Sequence, residues 1–492
     1  MKKIGFYNVL AIGIVFLFLA CTDRASSQSQ ITPSMVASES TTAPKKLGLQ
    51  ECVDIALQRN LRRPASKFAV EIAETRHRQA LSAWCPQFIA RSAITRMDQE
   101  PNFIFPEETS DYTISGIAPV PVVATVNVPE KEIKLMDRQS VVNSLGMTFP
   151  LYTGGIREAV AGQAKVGIDA ALQEQRKTDL QIVFDVKRYY YALVLASKIR
   201  QITKDTLDQL EVTLQITERF FTSGSGKVKK TDFLRNKVIV EGVRSSLAEV
   251  EGNMSSARSA LINSLGLDWN DAIEPADEDL PSVPIALDVG KCVAVSYEFN
   301  PDWAKLKAGL KAAEARIMEA KGGNLPKVAL TGNLNFVDNS YEKGIATSRN
   351  KSNWSVGLGM EISLFDGNLT LNKIREARAA LKKLEMEKNL LREGIALQIQ
   401  VLVNKIVAAG KQVESLKSAV STAQENSELN KKAYQVDLAE TKDVIEAQLT
   451  ESFTRGLKER ALYEQITNLA ELDLTIGREI NSLLESPAAS GK

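Results

Sequence analysis

An internal duplication is the feature of this sequence that most restricts how the chain can fold. Shifting the sequence against itself by 240 positions brings identical residues together without a gap: Cys52 with Cys292, Asn60 with Asn300, Lys67 with Lys307, Pro86 with Pro326. Shifts of 213 and 211 do the same further along, and they align Leu145-Gly146-Met147 with Leu358-Gly359-Met360 and Asp232 with Asp443. The chain therefore contains a unit of about 200 residues twice.

Long stretches without proline predict unusually long helices in each copy. No proline occurs between Pro150 and Pro275 or between Pro326 and Pro487, and apolar residues recur there at spacings of three, four and seven. One helix is predicted from about Gly155 to Phe221, with a length on the order of 100 Å at 1.5 Å per residue. A helix of this length must pack sideways in a coiled-coil-like array, because it cannot fold back into a globular core.

Matched alternating segments predict β-strands beside these helices. Residues 353–367 place apolar side chains on one parity and small or polar ones on the other, and 141–154 and 328–336 follow the same pattern. An apolar outer face and a polar inner face suit a membrane β-barrel. Each chain has two hairpins and thus supplies only four strands, whereas closure needs at least about eight. The barrel must therefore be shared between chains.

The N-terminus predicts export. Lys2 and Lys3 precede an apolar run from about Val9 to Ala20, which is too short to span a bilayer and typical of a secretory signal. The run ends in Phe-Leu-Ala before Cys21, which resembles a bacterial lipobox, and we expect lipid on Cys21. Thr22 then favours delivery to the outer membrane, by resemblance to enteric lipoprotein sorting. The alternative is cleavage after Ala-Ser-Ser at 25–27, with loss of Cys21.

These signals divide the chain into segments. We predict a signal peptide (1–20), a lipid-anchored linker (21–46), repeat 1 (47–275), a linker (276–286), repeat 2 (287–486) and a C-terminal tail (487–492). Each repeat should contain a helix, a strand hairpin and a long helical hairpin. The change of shift from 240 to 213 places the length difference between the copies after Pro86 and before Leu145, where a proline-rich stretch indicates a loop.

Several function classes are disfavoured. A net charge of +1 and 6% aromatic residues argue against a nucleic-acid partner. Gly-Ser-Gly-Lys at 224–227 is not a phosphate loop, because Val228 follows the lysine. His77 is the only histidine, which excludes a metal site built from several histidines. Cys52, Cys85 and Cys292 show no metal-binding spacing and are interpreted as small buried residues. We expect no enzymatic activity, cofactor or metal.

With these features, the chain resembles the outer membrane efflux protein family typified by TolC. The resemblance covers nearly all of 47–486. It rests on the duplicated order of elements, on Leu-Tyr-Thr-Gly-Gly-Ile-Arg-Glu-Ala at 151–159 and Leu-Phe-Asp-Gly-Asn at 364–368, and on turns containing Thr-Asp-Phe-Leu and Lys-Asp-Val-Ile.

The resemblance implies a mainly α fold with membrane β: four strands per chain in a trimeric 12-stranded β-barrel, continued by a long α-helical barrel. It implies an outer-membrane channel of a tripartite efflux or secretion system. The implied partners are two further copies of the chain, a periplasmic adaptor protein, an inner-membrane transporter and outer-membrane lipid. A periplasmic coiled-coil adaptor or scaffold without a channel is the alternative, although it would leave the matched strands unexplained.

The resemblance also implies a periplasmic gate at the second helical turn. Its tyrosine corresponds to Tyr434, expected as an apolar constriction, and its acids correspond to Asp443 and Glu446, with Asp232 in the first turn. An ordinary solvated helix face remains the alternative for Asp443 and Glu446. The tips expected to dock the adaptor contain Gly224, Gly226, Lys227 and Asp437. Asp437 stands where the family has a glycine and Ala439 where it often has a gating arginine, so only the acidic ring carries over.

Overall fold

The structure is a computed structural model that describes residues 45–115, 122–135, 138–223, 228–282, 287–339, 351–436 and 438–480. Cys21, Gly224, Gly226, Lys227 and Asp437 lie outside the described residues. None of the helices in the described ranges is both long and apolar enough to cross a bilayer.

The helices confirm the duplication, because each helix of the first copy has a counterpart of nearly equal length in the second. The lengths are 11, 20, 67 and 36 residues in the first copy and 11, 21, 67 and 36 in the second. The helices are α1 (Leu49–Arg59), α2 (Arg62–Leu81), α3 (Ile156–Thr222), α4 (Lys230–Leu265), α5 (Val289–Phe299), α6 (Pro301–Lys321), α7 (Leu369–Gln435) and α8 (Thr441–Ile476). The long helix expected from Gly155 to Phe221 is thus present as α3.

The same asparagine joins the two short helices of each copy to the end of the return helix. Asn60 Nδ2 donates to the Ser264 carbonyl at 2.8 Å, and Asn300 Nδ2 donates to the Thr475 carbonyl at 2.7 Å. In both residues Oδ1 accepts a hydrogen bond of 2.9 Å from a backbone N–H in the first turn of the following helix. Both asparagines are buried, so these bonds replace water that the helix ends have lost.

Glycine is required at the same junction in both copies. Gly266 ends α4 with φ +67° and Gly477 ends α8 with φ +85°, a left-handed conformation that other residues rarely adopt. A β-carbon at either position would also collide with the backbone of the short helix, at Arg59 in the first copy and at Phe299 in the second. The close approach of the helices therefore depends on both glycines.

The strands are β1 (Lys45–Leu47), β2 (Gln87–Arg96), β3 (Asn102–Phe105), β4 (Glu108–Ile114), β5 (Val122–Val128), β6 (Lys131–Lys134), β7 (Gln139–Tyr152), β8 (Ile273–Pro275), β9 (Lys327–Asn339) and β10 (Ser352–Glu361). Four of them form one antiparallel sheet in the order β10-β9-β7-β2. The two predicted hairpins are therefore joined through β7 and β9.

Two sequence predictions about these strands need correction. The second alternating segment was expected to run to residue 367, but β10 ends at Glu361, because the chain then turns into α7. The turn is fixed by Asp366, which accepts from the Thr370 N–H at 2.9 Å, and by left-handed backbone at Gly367 and Asn368. Where the structure describes the stretch after Pro86, much of it is not a loop: β3 pairs with β6 and β4 with β5, since Val122–Val128 has high strand propensity.

The main helical core lies around the middle of α3. Tyr190, Val186 and Ile182 are buried there with Leu47 of β1, which pairs in parallel with β8. The segment after β8 also packs on α3: Asp277 accepts from the Tyr190 hydroxyl at 2.8 Å. Of the three cysteines in the described part, Cys52 and Cys292 are buried as expected, whereas Cys85 is exposed, because it follows the helical turn that leads into β2.

Candidate functional site

The helical turns bring together residues that the sequence suggested as a gate. Asp232, Asp443 and Tyr434 line one cleft of about 690 Å³, although 211 residues separate the two aspartates in the sequence. Glu446 lies one helical turn beyond Asp443 on an exposed side of α8, where it lines a groove together with Phe453 of the same helix and Arg235 of α4. The predicted acids therefore share one end of the helical bundle.

Tyr434 connects three helices at this end. Its hydroxyl lies 2.9 Å from the hydroxyl oxygens of Thr217 in α3 and of Thr441 in α8, and its ring meets Phe220 edge to face. Only 5% of Tyr434 is exposed. Within the single chain the buried ring links helices, and the expected part of Tyr434 as an apolar constriction of a channel stays a prediction.

Tyr434 belongs to a series of buried polar contacts between α3 and its neighbours, which we call the polar seam. Gln448 donates to Thr213 at 3.1 Å, and the hydroxyls of Thr206 and Ser452 lie 2.8 Å apart. The residues of the polar seam are Thr206, Thr213, Thr217, Asn236, Tyr434, Thr441, Gln448 and Ser452. Sequence reasoning missed it, although Thr206, Thr213 and Thr217 stand at helical spacings of seven and four.

Asp232 and Asp443 have a local structural task in addition to any effect of their charge. The Asp232 carboxylate accepts the Lys229 N–H at 3.2 Å, and the Asp443 carboxylate accepts the Glu440 N–H at 3.3 Å. Each aspartate is the third residue of its helix and completes a capping box, which satisfies a donor that the helix leaves unpaired. Glu446 has no such task at a helix terminus.

Arg235 is a charged residue of this end that the sequence did not single out. It lines the cleft shared by Asp232 and Asp443, and it also lines the groove beside Glu446. Its guanidinium belongs to α4, whereas the resemblance led us to look for an arginine at the position of Ala439. A cation is therefore present near the acids, at a position supplied by the other repeat.

The four-stranded sheet has two chemically different faces, as the alternation predicted. In an antiparallel sheet, directly opposed residues point to the same side. One face carries rows such as Ala90, Leu145, Leu334 and Trp354, and Phe88, Met147, Gly332 and Val356. The opposite face carries Gln87, Thr148, Thr331 and Gly357, and Ile89, Gly146, Asn333 and Ser355.

The apolar face is open in the single chain. Trp354 is 75% exposed and Leu358 is 68% exposed, a degree of exposure that water-facing sheets avoid over a surface of this size. Both edges of the sheet are open as well, since among the described strands β2 pairs only with β7 and β10 only with β9.

Comparison with known proteins agrees with this architecture. The sequence profile described as "Outer membrane efflux protein" matches residues 52–267 and 296–478, so the chain belongs to that family. Nodulation protein T of Rhizobium leguminosarum bv. trifolii is 22% identical over 338 residues, which cover 68% of this chain and 70% of that protein. The probable outer membrane lipoprotein SilC of Salmonella typhimurium is 23% identical over 322 residues, 64% of either chain.

Solved structures share the fold at low sequence identity. The outer-membrane channel CmeC of Campylobacter jejuni has a TM-score of 0.70 at 15% identity and covers 90% of both chains. VceC, an outer membrane protein of Vibrio cholerae, has a TM-score of 0.68 at 16% identity, over 87% of this chain and 96% of that one. The TolC-like, internally duplicated fold is thereby confirmed. The family consists of outer-membrane efflux channels whose helical part lies in the periplasm, and this chain is one of them.

Proposed function

We propose that three copies of this chain form a passive exit channel, without catalysis, that receives its cargo from an inner-membrane transporter through a periplasmic adaptor. Three four-stranded sheets would close a 12-stranded barrel. The observation that carries the proposal is the four-stranded sheet with an exposed apolar face and two unpaired edges. The three sets of helices would continue the barrel into the periplasm.

Physical requirements of the bilayer favour closure by other copies. An open strand edge inside hydrocarbon leaves backbone donors and acceptors without partners, at several kcal/mol for each group. Four strands cannot close on themselves, because a barrel needs at least about eight. Pairing of β2 in one copy with β10 in the next satisfies both edges at once, and it places the exposed Trp354 and Leu358 against lipid.

A lipid anchor on Cys21 is compatible with the position of β1. The roughly 24 residues between Cys21 and Lys45 can span at most about 80 Å when extended. Leu47 packs beside Val186, which lies about 45 Å along α3 from the sheet end of that helix. The linker is therefore long enough to join a lipid at the membrane surface to β1. The relative SilC is itself named a lipoprotein.

The turn end is proposed as the gate and as the docking region for the adaptor. Three copies would gather Asp443 and Glu446 into a group of six carboxylates, whose combined field favours cations. The prediction that Gly224, Gly226, Lys227 and Asp437 dock the adaptor is kept as part of this proposal. The buried hydroxyl of Tyr434 would hold α3 against α8 in the conformation seen here.

Heating of outer-membrane fractions before electrophoresis tests the proposal. We expect the protein in the outer membrane, migrating as a trimer in cold detergent and as a monomer after boiling, with ion conductance when the trimer is reconstituted. A periplasmic scaffold would instead be released in soluble form by osmotic shock and would give no conductance. That outcome would overturn the proposal.

A further inference from the structure

The polar face of the sheet has an uneven distribution of charge. Across the three rows that start at Gln87, Ile89 and Arg91, all residues are uncharged except Arg91. Arg91 is exposed and stands in the middle of β2, in one row with Ser144, Asn335 and Asn353. This row thus contains a guanidinium, a hydroxyl and two amides, and no carboxylate.

The charges nearest to this row do not neutralise Arg91. Lys351 follows one row further on the same face and pairs with Asp338 at 3.6 Å. At the other end of the sheet, Lys327 stands directly opposite Glu361 and is balanced by it. Within the described ranges, no carboxylate forms an ion pair with Arg91. The middle of the polar face therefore carries one uncompensated positive charge per chain.

Assembly would bring three such charges together. Twelve strands spaced about 4.8 Å apart and tilted by about 40° enclose a backbone diameter of about 24 Å. Arginine side chains that point inward from that wall would bring their guanidinium groups to within roughly 10–15 Å of one another. The Debye length is about 10 Å at 0.1 M salt and about 3 Å at 1 M, so the three fields overlap only in dilute salt.

We propose that Arg91 of the three copies forms a cationic ring in the middle of the barrel, which binds polyvalent anions and favours anionic cargo at the exit. The inference rests on the proposed trimeric channel. Guanidinium groups bind phosphate and carboxylate oxygens through paired, charge-assisted hydrogen bonds, and the serine and asparagines of the same row supply further donors. The ring is opposite in sign to the acids at the turn end, so the two ends of one duct select differently.

The test is block of single-channel current by tripolyphosphate, added from the barrel side of a planar bilayer at 0.1 M KCl. We expect Arg91→Gln to weaken the block by about tenfold or more, because each lost charge-assisted contact weakens binding. Arg91→Lys should retain part of it. The matched control is Arg96→Gln, since Arg96 ends the same strand on the apolar parity. In wild type the block should fall steeply at 1 M KCl.

A chemical measurement checks the placement without depending on block. In a Cys85→Ser background, Arg91→Cys should react with a charged, membrane-impermeant methanethiosulfonate in the assembled trimer, whereas Ala90→Cys, on the lipid parity, should not. Equal block in wild type and Arg91→Gln, or reaction at Ala90→Cys but not at Arg91→Cys, would overturn the ring while leaving the channel intact. A wild-type protein that forms no conducting trimer would overturn the proposed function, and the ring with it.

Discussion

The two repeats share one helical scaffold and differ at its ends. The long helices have 67 residues in both copies, and a shift of 213 positions aligns them. The return helices have 36 residues in both copies, and a shift of 211 positions aligns them. At the sheet end, the first copy carries the paired strands β3 to β6, which have no counterpart among the described residues of the second copy. At the turn end, the second copy has Tyr434 where the first has Phe221, which stacks on Phe233. Helix lengths and helix caps are thus common to both copies. The additional strands belong to the first copy, and the buried tyrosine belongs to the second.

A third difference lies at the end of the return helices. The position of Ile262 in α4, which is buried in an apolar cluster, is occupied in α8 by Asp473. Asp473 accepts the Ile480 N–H at 2.8 Å and lies 3.5 Å from Lys187. The second copy therefore holds a partly buried carboxylate at a site where the first copy shows that an apolar residue suffices.

The largest effect is expected on the apolar face of the sheet, at equivalent positions of the two copies. Leu145→Arg and Leu358→Arg should each cost about 2–4 kcal/mol, because an arginine would face lipid near the middle of the membrane. The measurement is the yield of detergent-resistant trimer. Gly357→Ser is the control on the polar face, where a β-carbon would have ordinary clearance of 3.6 Å from the Thr331 hydroxyl. Normal trimer yields from both arginine variants would contradict the assignment of the faces.

A pH-dependent difference between the copies should follow from Asp473. Burial raises the pKa of the Asp473 carboxyl from 3.8 to about 6, and the pairing with Lys187 only partly opposes this. Between these two pH values the folded protein holds a proton that the unfolded chain releases, so the contribution to stability is complete below pH 3.8 and is lost as the pH rises through about 6.

Asp473→Asn should remove this loss, because the amide oxygen can still accept the Ile480 N–H and Lys187 keeps its ion pair with Glu479. The variant should match wild type near pH 4 and exceed it at pH 7 by up to about 3 kcal/mol. Thermal dissociation of the trimer across this range measures the difference. An Asn variant that is less stable at pH 7 would show that the ion pair outweighs the burial.

The shared junction should respond equally in both copies. Asn60→Ala and Asn300→Ala should each cost about 2 kcal/mol, since each leaves a buried carbonyl and a helix N–H without partners. Asn430→Ala is the control, because Asn430 bonds only to its own helix on an exposed side. If the melting temperatures of the two junction variants differ by more than their error, the two junctions do not contribute equally to stability.

Loss of the tyrosine hydroxyl should have a smaller effect, confined to the second copy. Tyr434→Phe removes the contacts to Thr217 and Thr441 and should cost about 1 kcal/mol. If the turn end is the gate, open-channel events should also become more frequent in bilayer recordings. Phe221→Tyr, at the equivalent position of the first copy, should change neither property, because it lies on an exposed part of α3. Unchanged gating in Tyr434→Phe would show that the Tyr434 hydroxyl takes no part in gating.

The smallest stability effect is expected at the turn acids. Asp232→Asn and Asp443→Asn weaken equivalent capping boxes and should each cost about 0.5–1 kcal/mol. Glu446→Gln should cost little, because Glu446 is exposed and caps no helix. Asp443→Asn combined with Glu446→Gln should reduce cation preference and block by multivalent cations. If that double variant keeps both, the two acids form only a solvated helix face.

The sequence was sufficient for features that repeat or alternate. Identical residues at fixed shifts indicated the duplication, and period-two alternation predicted the two faces of β7, β9 and β10. It was insufficient where a contact joins distant parts of the chain: Tyr434 meets Thr217 only because α3, α7 and α8 pack side by side. Proline and glycine in the stretch after Pro86 concealed the strands β4 and β5, in which valines of β5 stand opposite residues of β4, as Val122 does opposite Ile114.

Disulfide cross-linking between β2 and β10 tests the shared barrel most directly. In a Cys85→Ser background, Ala93→Cys is combined in turn with Asn353→Cys, Ser355→Cys or Gly357→Cys, all on the polar face. We expect at least one pair to give, after oxidation and full denaturation, covalent dimers and trimers and nothing larger, because three chains close a ring. Ladders that continue beyond the trimer, or no cross-link between chains from any of the pairs, would contradict closure of the barrel by three copies.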